Sequence, residues 1–109
     1  MEEFKTGIEL IAEERQRQIE KEGWSISHDA HHDKCELALA AAVYATPVNY
    51  REFKTETINV YDEKVAEIPS MWPFEDSWYK PSPENRVKEL VKAGALIAAE
   101  IDRLKALGK

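Results

Sequence analysis

Arg15 stands in the middle of an apolar helical stripe made by Ile8, Ile11, Ala12 and Ile19. A guanidinium in that place must meet a carboxylate, carbonyl groups or a bound anion, because a buried unpaired charge is very costly. It reads either as half of a structural ion pair or as a fork aimed at a phosphate or carboxylate ligand. Glu36 opens an apolar run in which Cys35 and Tyr44 are the only other ionisable groups. It reads as a capping residue or a partner for Arg15, or else as a metal ligand or general base in a low-dielectric pocket. His28, Asp29, His32 and Asp33 lie just ahead of it. His32 and Glu36 share a face if the helix begins by His32, so His32, Asp33 and Glu36 form the candidate set for one divalent ion, with magnesium as the candidate cofactor. The plainer reading of those histidines is a solvated loop. Trp72, Trp78 and Tyr79 could stack on a nucleobase with Lys80 near its phosphate. Trp72 and Phe74 read more simply as core, whereas Trp78 and Tyr79 fit either role. The chain has no GxSxG, P-loop or GxGxxG pattern, so no catalytic nucleophile is assigned.

Three helical segments must position these residues. The first opens at Thr6, where Thr6-Gly7-Ile8-Glu9 has the form of a capping box, and it runs to Glu22 before Gly23. The second opens at about Asp33, with Asp33-Lys34-Cys35-Glu36 as a similar box, and ends before Pro47. It is apolar nearly all round, so burial on more than one side is expected. The third starts with Ser82 as N-cap and Pro83 in the first turn and ends at Gly108. Val87, Leu90, Val91, Gly94, Ile97, Ala98, Ile101 and Leu104 form its stripe. Gly94 is expected to let Ala40 and Ala41 of the second helix come close, while Leu96 and Ala99 need a second cover, either within the fold or from a second copy, the latter making a homo-oligomer. Between Pro47 and Pro81 the pattern is weak. Thr57–Tyr61 alternates as a strand does, which suggests a short hairpin turning near Asp62-Glu63. Pro69–Pro81 is so aromatic that it should pack across the helices as a lid. The expected fold is therefore mainly α, a single helical domain over residues 1–109 with a hairpin or variable insert at 48–70.

Composition bounds the function. A chain of 109 residues with formal net charge −6 is a poor nucleic-acid binder, because phosphate neutralisation needs clustered Lys and Arg. Cys35 is the one cysteine, so no intrachain disulfide forms, which fits a reducing compartment. The N-terminus has no apolar signal core, and the longest apolar run falls short of the roughly 20 residues of a membrane span. A cytoplasmic protein without membrane association is the expectation.

The motifs form a recognisable series. Glu14-Arg15-Gln16-Arg17-Gln18-Ile19, Glu22-Gly23-Trp24, His28-Asp29, Glu36-Leu37-Ala38 and Ala41-Ala42-Val43-Tyr44-Ala45 are followed by Trp72-Pro73-Phe74, Trp78-Tyr79-Lys80-Pro81 and Leu90-Val91-Lys92-Ala93-Gly94-Ala95-Leu96-Ile97. This order resembles a group of small phage and prophage proteins, over most of the chain except about Val48–Ser70. The resemblance implies host-cell cytoplasm as the location. A looser resemblance is to the all-helical MazG-like nucleotide pyrophosphohydrolases, which carry EExxE on one helix and ExxD on the next and bind magnesium with those acids. Asp33-Lys34-Cys35-Glu36 matches the end of the first half. Glu89-Leu90-Val91-Lys92 stands for the second, with Lys92 in place of the Asp. From residue type alone Lys92 is a solvated helix-face lysine; the resemblance implies instead that it contacts a ligand phosphate.

Three functions follow as expectations. The first is a phage-encoded binder of a small nucleotide that sequesters a host defence signal, with Arg15, Glu36, Trp78, Tyr79, Lys80 and Lys92 as ligand-binding residues. The second is a MazG-like, magnesium-dependent hydrolase of nucleoside triphosphates using His32, Asp33 and Glu36. The third is a protein–protein inhibitor of a host factor that presents its acidic surface and tryptophans.

Overall fold

The computed structural model describes residues 4–22, 35–57 and 64–109, by backbone alone at 22, 54–57 and 64–67. The described residues form helix α1 (Gly7–Glu22), helix α2 (Glu36–Ala45), strands β1 (Phe53–Thr57) and β2 (Lys64–Pro69), and helix α3 (Arg86–Ala106), with single 3₁₀ turns at Val48–Tyr50 and Asp76–Trp78. The fold is a small, mainly α bundle with one antiparallel strand pair. No helix among the described residues is long and apolar enough to cross a membrane.

The ends of these helices are set by local chemistry. At α1 the capping box forms: the Glu9 N–H donates to the Thr6 hydroxyl at 3.2 Å, and the Thr6 N–H donates back to Glu9 Oε1 at 3.0 Å. Helix α2 begins at Glu36 rather than Asp33. Cys35 is its N-cap with φ 66°, and this left-handed residue interrupts any helical run from His32 to Glu36. Helix α3 begins at Arg86 rather than Pro83. Its N-cap is Asn85, whose side chain accepts from the Lys88 N–H at 3.1 Å, while Ser82–Asn85 forms a preceding turn. The far end of α3 closes as expected at Gly108, with φ 80° and bonds from Gly108 N to Lys105 O and from Lys109 N to Leu104 O, both at 3.0 Å, the pattern of a Schellman motif.

Helix α3 packs against both α1 and α2. Its buried face carries Glu89, Ala93, Leu96, Ala99 and Arg103, not the stripe that polarity predicts. Val87, Leu90, Ile97 and Ile101 are exposed instead. The two faces differ by one residue, roughly 100° of helix rotation. The polar pattern misplaces the face because its ends are charged residues buried in ion pairs. Leu96 and Ala99 find the first of their two expected covers, the one within the chain. They join Leu37, Ala40, Ala41, Val43, Tyr44, Ile68, Trp72 and Ala93 in one core, with Phe74 and Tyr79 packed against it. The aromatic loop thus closes over the helices as expected.

β1 and β2 pair from Phe53↔Pro69 to Thr57↔Lys64, with an irregularity between Glu56 and Thr57. A hairpin-type pair is present, but its strands lie on either side of the expected one: of Thr57–Tyr61 only Thr57 is within the described residues, and the turn expected near Asp62-Glu63 lies outside them. Ile68 and Pro69 are buried and fasten the pair to the core.

Gly94 meets α1, not α2. A Cβ at this position would lie 2.4 Å from Ile11 Cδ1 and 2.7 Å from Cγ1. Gly94→Ala therefore sets an overpacking cost of about 1–3 kcal/mol against a gain in helix propensity of about 1 kcal/mol. A net loss of about 1 kcal/mol is expected in urea unfolding. In an Ile11→Ala background the clash is gone, and the same substitution should stabilise. A loss of equal size in both backgrounds would show that Gly94 is not held by this contact.

Candidate functional site

Helices α1 and α2, the aromatic loop and α3 enclose a pocket of about 240 Å³. It is slightly below the roughly 300–1,000 Å³ of drug-sized ligand sites, and so fits a compact ligand. Tyr44, Trp72, Phe74 and Trp78 supply aromatic wall, Ala40 and Leu96 the aliphatic part, and Glu14, Arg17, Gln18, Lys80 and Lys92 the polar part.

The aromatic wall is built on Tyr44. Its ring meets Trp72 edge-on at 5.4 Å between centroids and stacks with Tyr79 at 6.0 Å. Its hydroxyl accepts from the Lys80 N–H at 3.0 Å, which ties the loop to α2. Burial pushes the Tyr44 hydroxyl up to about 12, so it stays protonated and neutral. Trp72 donates from Nε1 to the Glu75 carbonyl at 3.0 Å. Trp78 tilts against Phe74 at 5.4 Å and remains 41% exposed, leaving it open to a ligand.

Lys92 is the central cation. Its Nζ donates to the Lys80 carbonyl at 2.6 Å and sits 4.9 Å from the centroid of the Tyr44 ring. Burial and the neighbouring Lys88 hold its ammonium below the ordinary lysine range, although Glu14 and Glu89 pull the other way. On α1, Arg17 grips Glu14 in a two-point pair at 2.7 and 2.8 Å. Burial pushes the Glu14 carboxyl up, but Arg17 and a hydrogen bond from Gln18 outweigh it and leave it below its usual value. Gln18 is 2% exposed. Its Nε2 donates to Glu14 Oε2 at 3.3 Å, while its Oε1 has no partner among the described residues.

Of the residues chosen from sequence, Trp78, Lys80 and Lys92 come together on this pocket, although they are 14 positions apart at most in a loop and a helix. Tyr79 stands outside it: it stacks on Tyr44 and accepts from Arg51 Nη1 at 3.0 Å. Arg15 is buried, but its Nε faces Asp102 Oδ2 at 3.6 Å, so the ion-pair reading describes it and it does not line the pocket. Glu36 sits in the first turn of α2, where a carboxylate complements the helix dipole. Tyr44 is about 12 Å further along the same helix, and Glu36 does not line the pocket. His32 and Asp33 lie outside the described residues, as do His28 and Asp29. Among the described residues no group of three or more His, Cys, Asp or Glu side chains is placed to hold a metal ion.

Sequence reasoning passed over Glu14, Arg17, Gln18 and Tyr44. A signal for Gln18 existed: Ile11, Arg15 and Gln18 recur at helical spacing, so Gln18 shares the inward face that made Arg15 conspicuous. Glu89 is likewise placed differently from its expected role. It is 1% exposed and accepts from Arg51 Nη1 and Nη2, from Arg86 Nη1 and from the Ser82 N–H. A carboxylate so engaged fills its acceptor sites with protein donors and has none to spare for a cation.

No protein-family model, curated protein or solved structure matches the chain.

Proposed function

We propose that this protein binds a small nucleotide in the pocket between α1, α2, α3 and the aromatic loop. The observation that carries the reading is charge convergence: Arg17, Lys80 and Lys92 meet on one aromatic-walled pocket, with Glu14 the single acid among the described lining residues, in a chain of net charge −6. An acidic protein that gathers cations at one concave site favours an anionic ligand there. The rings favour a ligand that also has a flat π-face. A nucleotide combines both. The phage-like motif series extends the proposal to a protein that holds a host signalling nucleotide out of circulation.

Binding without cutting is the form that the site supports. The MazG-like resemblance sets Glu89 in the second acid motif, and its oxygens are occupied by two arginines and an amide. Of His32, Asp33 and Glu36, on which the hydrolytic alternative relies, the first two lie outside the described residues. Nucleotides should raise the melting temperature of the protein without added magnesium, and chromatography should recover them intact. Lys92→Met keeps the aliphatic stem and removes the charge. It is expected to weaken binding by on the order of 10- to 100-fold, the range of a lost charge-assisted hydrogen bond. Loss of intact nucleotide only in the presence of magnesium would favour the hydrolase. No thermal shift with any nucleotide would remove the pocket reading and leave exposed Trp78 to be explained as a protein contact.

A further inference from the structure

Gln18 combines two properties that seldom occur together. It is almost fully buried, and its Oε1 acceptor has no partner among the described residues. Buried polar atoms are nearly always satisfied, so an orphan on a pocket wall points to a group that arrives with a ligand. The direction of the carboxamide is also constrained. Arg17 fixes Glu14 through two hydrogen bonds, and Glu14 Oε2 accepts from Gln18 Nε2. Flipping the amide would set Oε1 against a carboxylate, which accepts and cannot donate. The relay Arg17–Glu14–Gln18 thus fixes which end of the amide is the free acceptor, with the second Nε2 hydrogen beside it, although Oε1 itself is closed to solvent in this state. The terminal torsion of glutamine is soft, so the group can turn toward the pocket without leaving its rotamer.

We propose that Gln18 makes this site selective for adenine: its Oε1 accepts from the exocyclic N6 amino group and its second Nε2 hydrogen donates to N7. The proposal rests on the nucleotide reading above. A side-chain amide paired with N6 and N7 is the arrangement by which Asn and Gln recognise adenine in other settings. The rest of the pocket agrees. Trp78, exposed and tilted on Phe74, gives the base a π-surface, Lys80 and Lys92 line the same pocket and supply cations for a 5′-phosphate, and about 240 Å³ suits a single base better than two. Hypoxanthine has the same shape as adenine but carries a carbonyl oxygen at position 6, which would face Oε1 acceptor to acceptor.

Adenosine 5′-monophosphate and inosine 5′-monophosphate are the probes, titrated calorimetrically into the full chain without metal. The adenine nucleotide should bind on the order of 10- to 100-fold more tightly. Gln18→Leu should erase that preference while the melting temperature holds or rises, since the variant no longer buries an unsatisfied acceptor. Glu14→Gln gives the amide a neighbour that both donates and accepts, so the flipped orientation becomes available and the preference should shrink. Equal affinity of the wild-type protein for the two probes would overturn the adenine proposal and leave the nucleotide pocket standing. Binding of neither probe, nor of any other nucleotide, would overturn both. A preference that persists in Gln18→Leu would place the discrimination elsewhere and also overturn it.

Discussion

Glu89→Ala is expected to destabilise the protein by about 3–5 kcal/mol, the cost typical of breaking a buried ion pair from one side. Both side chains of the Arg51–Glu89 pair are 1% exposed. Arg51 uses its guanidinium fully. Nε donates to Thr46 O at 2.8 Å, Nη1 to Tyr79 Oη and Glu89 Oε2, and Nη2 to Tyr44 O and Glu89 Oε1. Arg86 adds bonds to Tyr44 O at 2.7 Å and to Ala45 O. The final carbonyls of α2, which no helical N–H can reach, are thus capped by two arginines that Glu89 of α3 holds in place. Removing Glu89 strands a buried cation and loosens the cap together. Against a typical domain stability of about 5–15 kcal/mol, that loss should show as a large drop in the urea midpoint. Arg51→Met with Glu89→Leu should recover part of it, because no charge is then stranded, but not all, because Ser82 N and the α2 carbonyls lose partners. A Glu89→Ala variant within 1 kcal/mol of wild type would show that water reaches the pair.

The same pair predicts an acid limb. Burial alone raises the Glu89 carboxyl, but the hydrogen bonds from Arg51 and Ser82 and the charge of Arg51 outweigh it, so it lies below its ordinary 4.5 in the folded protein. A depressed carboxyl contributes stability that is fully present above its unfolded value and is lost as pH falls through the folded one. The protein should therefore hold this contribution above about pH 4.5 and lose it below. Glu89→Gln should flatten that limb, although the variant starts from lower stability. An unchanged slope would assign acid unfolding to other carboxylates.

Local signals in the sequence were legible, and long-range ones were not. The α1 cap at Thr6 and Glu9 and the stop at Gly108 follow from spacings of a few residues, and both form as expected. Helix α3 starts later than Ser82 and Pro83 signal, because Asn85 supplies a cap one turn further on. The inward face of α3 differs from its polarity stripe because Arg51 neutralises Glu89 across 38 residues, a pairing that no periodicity encodes. The site was partly legible for the same reason. Trp78, Lys80 and Lys92 stand out by type, whereas Glu14, Arg17 and Gln18 look like the polar face of any helix until α3 and the loop are laid against them. Gln18 shows the limit most clearly: its position was readable, but its missing partner is a property of the folded surroundings alone.

Trp72→Ala should rank with Glu89→Ala, at about 3–5 kcal/mol. Trp72 is 9% exposed and is the shared contact of the aromatic cluster, with ring centroids 5.4 Å from Tyr44, 5.7 Å from Phe74 and 5.2 Å from Tyr79. Deleting the indole removes its own burial and the ring contacts of its neighbours, and it opens a void next to the pocket. The Glu75 carbonyl loses its donor as well. Trp72→Phe keeps most of the ring and loses only that hydrogen bond and some volume, so about 1–2 kcal/mol is expected. The pair of variants separates stability from binding. On the proposed nucleotide reading, if the indole only supports the fold, Trp72→Phe should keep the affinity of the wild type, because Trp78 still offers an exposed π-face. If the base stacks on Trp72 itself, Trp72→Phe should lose affinity out of proportion to its small loss of stability. The geometry favours the first outcome: Trp72 spends its ring faces and edges on three neighbours, whereas Trp78 touches Phe74 and keeps much of its surface in the open.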